Sequence, residues 1–174
     1  MVAHISPHKL GEHDPGPRHR LRMCELAAQG AEGVSACGLE LARPAPSYTV
    51  DTLSTLHESH QQAELTFIVG ADTASTLGTW RDPAALLELA RLAVAERDGY
   101  TRAGVLAAIG AVPGASSAAR ERVSFLAMGA LDVSSSQVRA MVARAEPVTR
   151  LVGEAVAGYI AEHGLYATVQ AGAA

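Results

Sequence analysis

The sequence predicts an α/β fold in which helices flank a parallel sheet. Short apolar runs alternate with helical segments along the chain, and this alternation is typical of strand–helix–strand units. The runs are continuously apolar, as expected of strands buried on both faces. With 174 residues, 48% of them apolar, the chain is long enough for its own core. We therefore predict one domain over residues 1–174, with a helical C-terminal part at about 135–166.

The predicted elements follow from local patterns. Runs of four or five mainly apolar residues predict strands at Val34–Cys37, Leu65–Val69, Leu92–Ala95 and Val123–Leu126. The segments between and after them predict helices at Arg18–Gln29, Thr49–Gln62, Pro83–Ala90, Ala103–Ile109, Ser135–Ala145 and Thr149–His163. Residues 110–122 are expected to form a loop. In the last helix an apolar stripe faces one way, and Gly164 suits the position after the helix end.

Composition excludes several classes of protein. No apolar run reaches the length of a membrane span, and the N-terminus lacks the pattern of a signal peptide, so we expect a cytoplasmic protein without a membrane partner. The net charge of −4 argues against general nucleic-acid binding. The spacing of the cysteines and of the N-terminal histidines matches no known metal site. No metal ligand is therefore predicted among Cys24, Cys37, His4, His8, His13 and His19.

Polar residues follow three of the predicted strands. Ligands of open parallel sheets bind beyond the carboxyl ends of the strands, where this sequence has "IVGADTASTLGTW", "ERDGY" and "MGALDVSSSQVR". We expect these loops to converge on one edge of the sheet. A G-x-G-x-x-G motif is not present, so a dinucleotide-binding fingerprint is not supported.

The stretch "SSSQVR" permits two interpretations. Ser134 with Gln137 matches a capping box, in which side chains satisfy the free backbone groups of a helix start. Arg139 favours an anion site, because a cation near the positive helix N-terminus is poorly placed unless an anion lies between them. Hydroxyls, backbone N–H groups and a guanidinium together suit phosphate.

Three other features also have two interpretations. Gly70 and Asp72 in "GAD" can meet a ribose, or Asp72 can cap a helix. "SYT", residues 47–49, can bind a ligand or simply begin a helix. Trp80, in a turn-like setting, can stack on a flat ring or pack at the edge of the core.

Eight segments in order resemble bacterial nicotinate-nucleotide adenylyltransferases. They cover nearly the whole chain: "SPHK" (Ser6–Lys9), "RLRMCELA" (Arg20–Ala27), "ELARPAPSYTVDTL" (Glu40–Leu53), "FIVGAD" (Phe67–Asp72), "TW" (Thr79–Trp80), "AVAERDGY" (Ala93–Tyr100), "DVSSSQVR" (Asp132–Arg139) and "VAGYIAEHGLY" (Val156–Tyr166). The resemblance implies a Rossmann-like nucleotidyltransferase fold. It also implies that AMP passes from ATP to nicotinate mononucleotide in NAD biosynthesis, with release of pyrophosphate.

The resemblance implies a role for each matching residue. The nicotinate would lie against Tyr48 and Thr49 and stack on Trp80, and Gly70 and Asp72 would approach a ribose. The ATP phosphates would meet Ser134, Ser135, Ser136 and Arg139, with a serine at 136 where the family has threonine. Arg97 and Lys9 would add positive charge near phosphates, and Lys9 and Arg139 are the predicted catalytic residues. Mg²⁺ is expected with ATP, without a tightly bound cofactor; the oligomeric state stays open, a homo-oligomer included.

One departure bears on activity. Members of the family open with a strand and a G-x-F-D-P-x-H-x-G-H loop, whereas this sequence starts near the "PHK" segment. The expectation is that a first strand and helix, roughly 30 residues, are missing, through truncation or degeneracy, and that turnover is impaired. The alternatives are a non-catalytic nucleotide-binding remnant, or an adenylyltransferase that acts on nicotinamide mononucleotide or phosphopantetheine.

Overall fold

The computed structural model of the protein describes residues 1–4, 14–128 and 133–167. The chain divides into two compact units. One unit comprises Met1–Ser47 with Leu131–Ala174, and the other comprises Tyr48–Ala130, called here the sheet unit. The single domain over residues 1–174 stays a prediction.

The helices and strands of the described residues are as follows. The α-helices are α1 Pro17–Ala28, α2 Thr49–Ser59, α3 Ala71–Ser75, α4 Pro83–Leu89, α5 Arg102–Gly110, α6 Ser135–Ala143, α7 Thr149–Val152 and α8 Glu154–Glu162. The strands are β1 Thr66–Gly70, β2 Arg91–Ala95 and β3 Val123–Leu126. Short 3-10 helices occupy Leu39–Ala42, Leu77–Thr79 and Ser117–Arg122.

The three strands form a parallel sheet in the order β1-β2-β3. Thr66 lies opposite Arg91 and Gly70 opposite Ala95 in the first pair, and Ala95 lies opposite Leu126 in the second. The predicted α/β class with a parallel sheet is confirmed, and this register brings the carboxyl ends of β1 and β2 side by side.

One face of the sheet carries the core of the sheet unit. Alternate strand residues point to this face, and side chains from α2, α3, α4 and α5 pack among them. Leu86, Val94 and Ile109 are fully buried there. Because successive residues of a strand point to opposite faces, the remaining strand residues lie on the other side of the sheet.

The other face of the sheet is open in part. Ile68 of β1 is 65% exposed and Leu126 of β3 is 37% exposed, whereas the smaller Ala93 between them is buried. The prediction that the strands are buried on both faces is therefore wrong at Ile68 and Leu126. The physical reason is that the helices of the sheet unit send their buried side chains to the opposite face.

The predicted strand Val34–Cys37 is wrong. Among the residues that the structure describes, this segment pairs with no strand. The Cys37 carbonyl accepts a hydrogen bond from the Val2 N–H at 3.1 Å, and the Val34 N–H donates to the Ala31 carbonyl at 3.2 Å. Val34 is 61% exposed, so the short apolar run has no buried face to hold it in a sheet.

Two glycines determine where the C-terminal helices end. The predicted helix Thr149–His163 is broken at Gly153, whose φ of +81° interrupts the helical backbone between α7 and α8. Gly164, with φ +58°, follows the end of α8 as predicted, and the Leu165 N–H donates to the Ile160 carbonyl to close the helix end. The 3-10 helix at Ser117–Arg122 replaces part of the expected loop.

Within the described residues, no helix is both long and apolar enough to cross a membrane.

Candidate functional site

The carboxyl ends of β1 and β2 bring two predicted site residues together. Asp72 lies in the first turn of α3, directly after β1, and Arg97 follows β2 by two residues. The Arg97 Nη1 is 2.9 Å from the Asp72 Oδ2, and both side chains are accessible, with 67% and 38% exposure. The expected convergence of these two loops is confirmed.

Gly70 permits a close approach by the Asp72 carboxylate. A Cβ at position 70 would lie 2.5 Å from Asp72 Oδ1, inside the normal contact distance. The φ of Gly70 is −69°, which other residues adopt, so a larger residue here would displace the Asp72 carboxylate and would not strain the backbone. The alternative in which Asp72 caps a helix is wrong, because Gly70 is the N-cap residue and receives no side-chain cap.

A second ion pair lies in the same loop after β2. The Arg102 Nε donates to the Glu96 Oε1 at 2.5 Å, and this hydrogen bond holds the pKa of the Glu96 carboxyl below its usual value. The Arg102 guanidinium also lies 5.3 Å from the Phe125 ring centroid, a cation–π distance. This ion pair was not predicted from the sequence, and it holds the base of the loop that carries Arg97.

Tyr48 and Thr49 form the start of α2. Tyr48 is the N-cap residue and Thr49 the first helical residue, and no side chain caps this end. The Arg81 Cζ lies 4.6 Å from the Tyr48 ring centroid, and the Arg81 Nη1 lies 3.6 Å from the Asp51 Oδ2. Arg81 was not predicted as a site residue, although its place directly after Trp80 in "TWRDP" was a cue.

Trp80 belongs in part to the core. Its ring centroid is 6.2 Å from that of Phe67, with the rings tilted by 60°, and the side chain packs against the buried cluster. Trp80 is nevertheless only half-buried. Packing at the core edge therefore occurs, and ring stacking on a ligand stays a prediction for the exposed part of the indole.

The predicted serine cap is present at α6. The Gln137 N–H donates to the Ser134 Oγ at 3.1 Å, which satisfies one of the free donors of the first turn. The Arg139 Nη2 donates to the Ser136 Oγ at 3.1 Å, so the guanidinium lies along the first turns of α6. The three serines are exposed and Arg139 is half-buried.

A cavity of about 680 Å³ borders α6 in its own unit. Its wall is mainly apolar, with Ser135, Arg139 and Arg20 among the polar contributors. Arg20 is occupied by the carbonyls of Ala3 and His4, each at 2.7 Å, so it holds the N-terminal residues against α1. Tyr166 also lines the cavity, and burial raises the pKa of its hydroxyl.

The predicted site residues thus form two groups within separate units. The sheet unit contains Tyr48, Thr49, Gly70, Asp72, Trp80 and Arg97, and the other unit contains Ser134, Ser135, Ser136 and Arg139. Lys9, a predicted catalytic residue, lies outside the described residues.

The chain is similar to known nucleotidyltransferases in sequence and in fold. The sequence pattern of the family described as cytidylyltransferase-like matches residues 4–141. A relative from Thermomicrobium roseum, named probable nicotinate-nucleotide adenylyltransferase, is 38% identical over 95% of this chain and 75% of its own length. A relative of the same name from a Roseiflexus species is 36% identical over 92% of this chain and 77% of its own.

A solved structure has a similar fold. It is nicotinic acid mononucleotide adenylyltransferase from Plasmodium falciparum, complexed with NaAD. The superposition has a TM-score of 0.66 at 16% identity and covers 94% of this chain and 79% of that one. At this identity the likeness concerns the fold, and it agrees with the predicted Rossmann-like nucleotidyltransferase architecture.

The cap at Ser134 predicts a specific loss of stability. Replacing Ser134 by alanine removes the acceptor of the Gln137 N–H, and we expect the free energy of unfolding to fall by about 1 kcal/mol. Ser134→Asn keeps a capping oxygen and should lose much less. Urea denaturation of both variants measures the difference; equal losses would contradict the capping role.

Proposed function

The chain belongs to the family of nicotinate-nucleotide adenylyltransferases, within the cytidylyltransferase-like group, and we propose that it transfers AMP from ATP to nicotinate mononucleotide. The products are deamido-NAD and pyrophosphate, and the reaction is a step of NAD biosynthesis. Two relatives with 36% and 38% identity carry the corresponding name.

The observation that carries the proposal is the position of Ser135 and Arg139 in the wall of the 680 Å³ cavity. A mainly apolar cavity of this size, bordered by a few polar groups, suits a flat heterocyclic base. The capped start of α6 offers backbone N–H groups, hydroxyls and a guanidinium to the phosphates that follow such a base. We propose that this unit binds ATP.

Nicotinate mononucleotide is proposed to bind to the sheet unit. The exposed part of Trp80 offers an indole face for the pyridine ring. The start of α2 at Tyr48 and Thr49 has no side-chain cap, and a helix N-terminus favours a negative group such as the nicotinate carboxylate. The Asp72 carboxylate can accept hydrogen bonds from ribose hydroxyls.

The chemistry needs no nucleophile from the protein. A phosphate oxygen of nicotinate mononucleotide attacks the α-phosphorus of ATP, a new P–O bond forms, and the bond to the pyrophosphate leaving group breaks. The protein contributes alignment of the two nucleotides and stabilisation of the charge on the leaving group. We propose Arg139 for this electrostatic role, together with Lys9.

Mg²⁺ is proposed to accompany ATP. It prefers oxygen ligands, keeps several waters and commonly binds through substrate phosphates with one or two protein groups. Among the described residues there is no group of three or more side chains that could hold a metal, so the triphosphate itself would supply most of the ligands. When bound, Mg²⁺ neutralises negative charge on the phosphates. We further propose that the reaction takes place in the cytoplasm without a tightly bound cofactor.

The proposal is tested by pyrophosphate release from ATP with nicotinate mononucleotide. We expect faster release than with nicotinamide mononucleotide or phosphopantetheine at equal concentration. If no substrate supports release while ATP still raises the melting temperature, the protein binds nucleotide without transferring it, and the transferase proposal is wrong.

Arg139→Ala is expected to weaken ATP binding. Loss of a charged hydrogen bond costs about 1.5–3 kcal/mol, so the Kd for ATP should rise by roughly tenfold to a hundredfold. Isothermal titration calorimetry measures this change. Arg144→Ala is the matched control, since Arg144 caps the end of the same helix and pairs with Glu146 at 2.7 Å. If Arg139→Ala binds ATP as tightly as Arg144→Ala does, the "SSSQVR" stretch only caps its helix and does not bind phosphate.

Trp80→Ala is expected to raise KM for nicotinate mononucleotide much more than KM for ATP. The reason is the loss of the ring that stacks on pyridine, worth about 0.5–1.5 kcal/mol beyond its buried area. Trp80→Phe retains an aromatic face and should retain most of the affinity. Steady-state kinetics with each substrate varied in turn decides the point, and equal increases in both KM values would assign Trp80 to the core alone.

A further inference from the structure

Arg81 connects the turn that carries Trp80 with the start of α2. Its Cζ lies 4.6 Å from the Tyr48 ring centroid, and its Nη1 lies 3.6 Å from the Asp51 Oδ2. The side chain is 57% exposed. The guanidinium is therefore held over one aromatic ring and remains accessible to a ligand from solvent.

The N–H groups of the Arg81 guanidinium are not occupied. The 3.6 Å separation from the Asp51 carboxylate exceeds a normal hydrogen-bond distance, and within the described residues this guanidinium forms no hydrogen bond. A guanidinium over the face of a ring keeps its N–H donors in its own plane. Two of these donors can then bind the two oxygens of one carboxylate.

The neighbours of Arg81 in the chain hold its backbone in place. Trp80, which precedes it, packs against the buried cluster of the sheet unit. Asp82, which follows it, accepts a hydrogen bond from the Ala85 N–H at 3.3 Å and so caps α4, whose first residue is Pro83. Arg81 thus lies between a packed indole and a capped helix start, and the side chain is presented from a defined position.

We propose that Arg81 determines the preference of this protein for nicotinate mononucleotide over nicotinamide mononucleotide. The guanidinium donates to the carboxylate on the pyridine ring, whereas the uncharged carboxamide of nicotinamide gains no attraction between opposite charges. This inference rests on the proposed function, because the position of the ring against Trp80 is part of that function. Arg81 is then a specificity-determining residue beside Tyr48 and Thr49.

The chemistry of the ligand indicates which substrate is concerned. Nicotinate carries an anionic group on its flat ring, whereas adenine carries none, so ATP offers Arg81 no such partner near a stacked base. The phosphate is common to both mononucleotides, and a contact with it would give no preference between them. An exposed ion pair such as that with Asp51 is weak, so a carboxylate that hydrogen-bonds to the guanidinium can compete with it.

Isothermal titration calorimetry with the two mononucleotides tests the inference without turnover. We expect the wild type to bind nicotinate mononucleotide more tightly. Arg81→Ala should raise the Kd for nicotinate mononucleotide by about tenfold, the effect of losing one hydrogen bond between charged groups, and should change the Kd for nicotinamide mononucleotide by less than about twofold. A purely structural role of Arg81 predicts equal increases in both Kd values, and this result would overturn the inference.

Two further variants separate charge from shape. Arg81→Lys retains the positive charge without the planar fork, so it should restore part of the preference for nicotinate. Arg81→Gln retains N–H donors but has no charge, so it should lose the preference as Arg81→Ala does. A glutamine variant with the wild-type preference would show that charge does not select the substrate.

Arg91→Ala is the matched control. Arg91 begins β2 and forms an exposed ion pair with Glu64, so this variant also removes one charge from an ion pair of the sheet unit. Because surface pairs contribute little to stability, both alanine variants should remain folded, which thermal denaturation followed by circular dichroism verifies. The control should keep the wild-type preference, and a loss equal to that of Arg81→Ala would contradict a specific role for Arg81.

Failure of this inference and failure of the proposed function give different results. If the wild type binds neither mononucleotide and releases no pyrophosphate, the proposed function is wrong and the inference with it. If the wild type releases pyrophosphate with nicotinate mononucleotide, but Arg81→Ala prefers this substrate as strongly as the wild type does, the inference alone is wrong.

Discussion

The parallel register of β1 and β2 is the constraint on which the arrangement at the sheet edge depends. It aligns Gly70 with Ala95, so that the first turn after one strand meets the loop after the next. Backbone hydrogen bonds between the strands and the apolar face beneath them maintain this alignment. A shift by one residue would turn Val69 and Val94 out of the core, which means that the buried side chains also secure the functional loops.

The two units are proposed to bind different substrates. The sheet unit combines an indole, an uncapped helix start and a held carboxylate, which suits an aromatic ring joined to a sugar. The other unit combines a mainly apolar cavity with a capped helix start and Arg139, which suits a base followed by phosphates. The family to which the chain belongs uses two nucleotide substrates, nicotinate mononucleotide and ATP.

Much of this architecture was predictable from local sequence, because strong apolar runs and capping residues act locally. The predicted bounds of β3 and the Ser134 cap agree with the structure. The strand predicted at Val34–Cys37 is wrong because a short apolar run forms a strand only when a neighbouring strand pairs with it. The exposed Ile68 and the Arg97–Asp72 pair were not predictable for a similar reason: both depend on register and on which face the helices cover.

The close approach between Asp72 and Gly70 has a consequence for how this protein can change in evolution. The backbone at position 70 has ordinary torsion angles, so alanine or serine there would be compatible with a folded chain. Either residue would, however, push the carboxylate off its place. On the proposed role of Asp72, substitutions at position 70 would therefore be selected against through loss of ribose binding and not through misfolding, and a glycine at the matching position of a related sequence would indicate that this contact is retained.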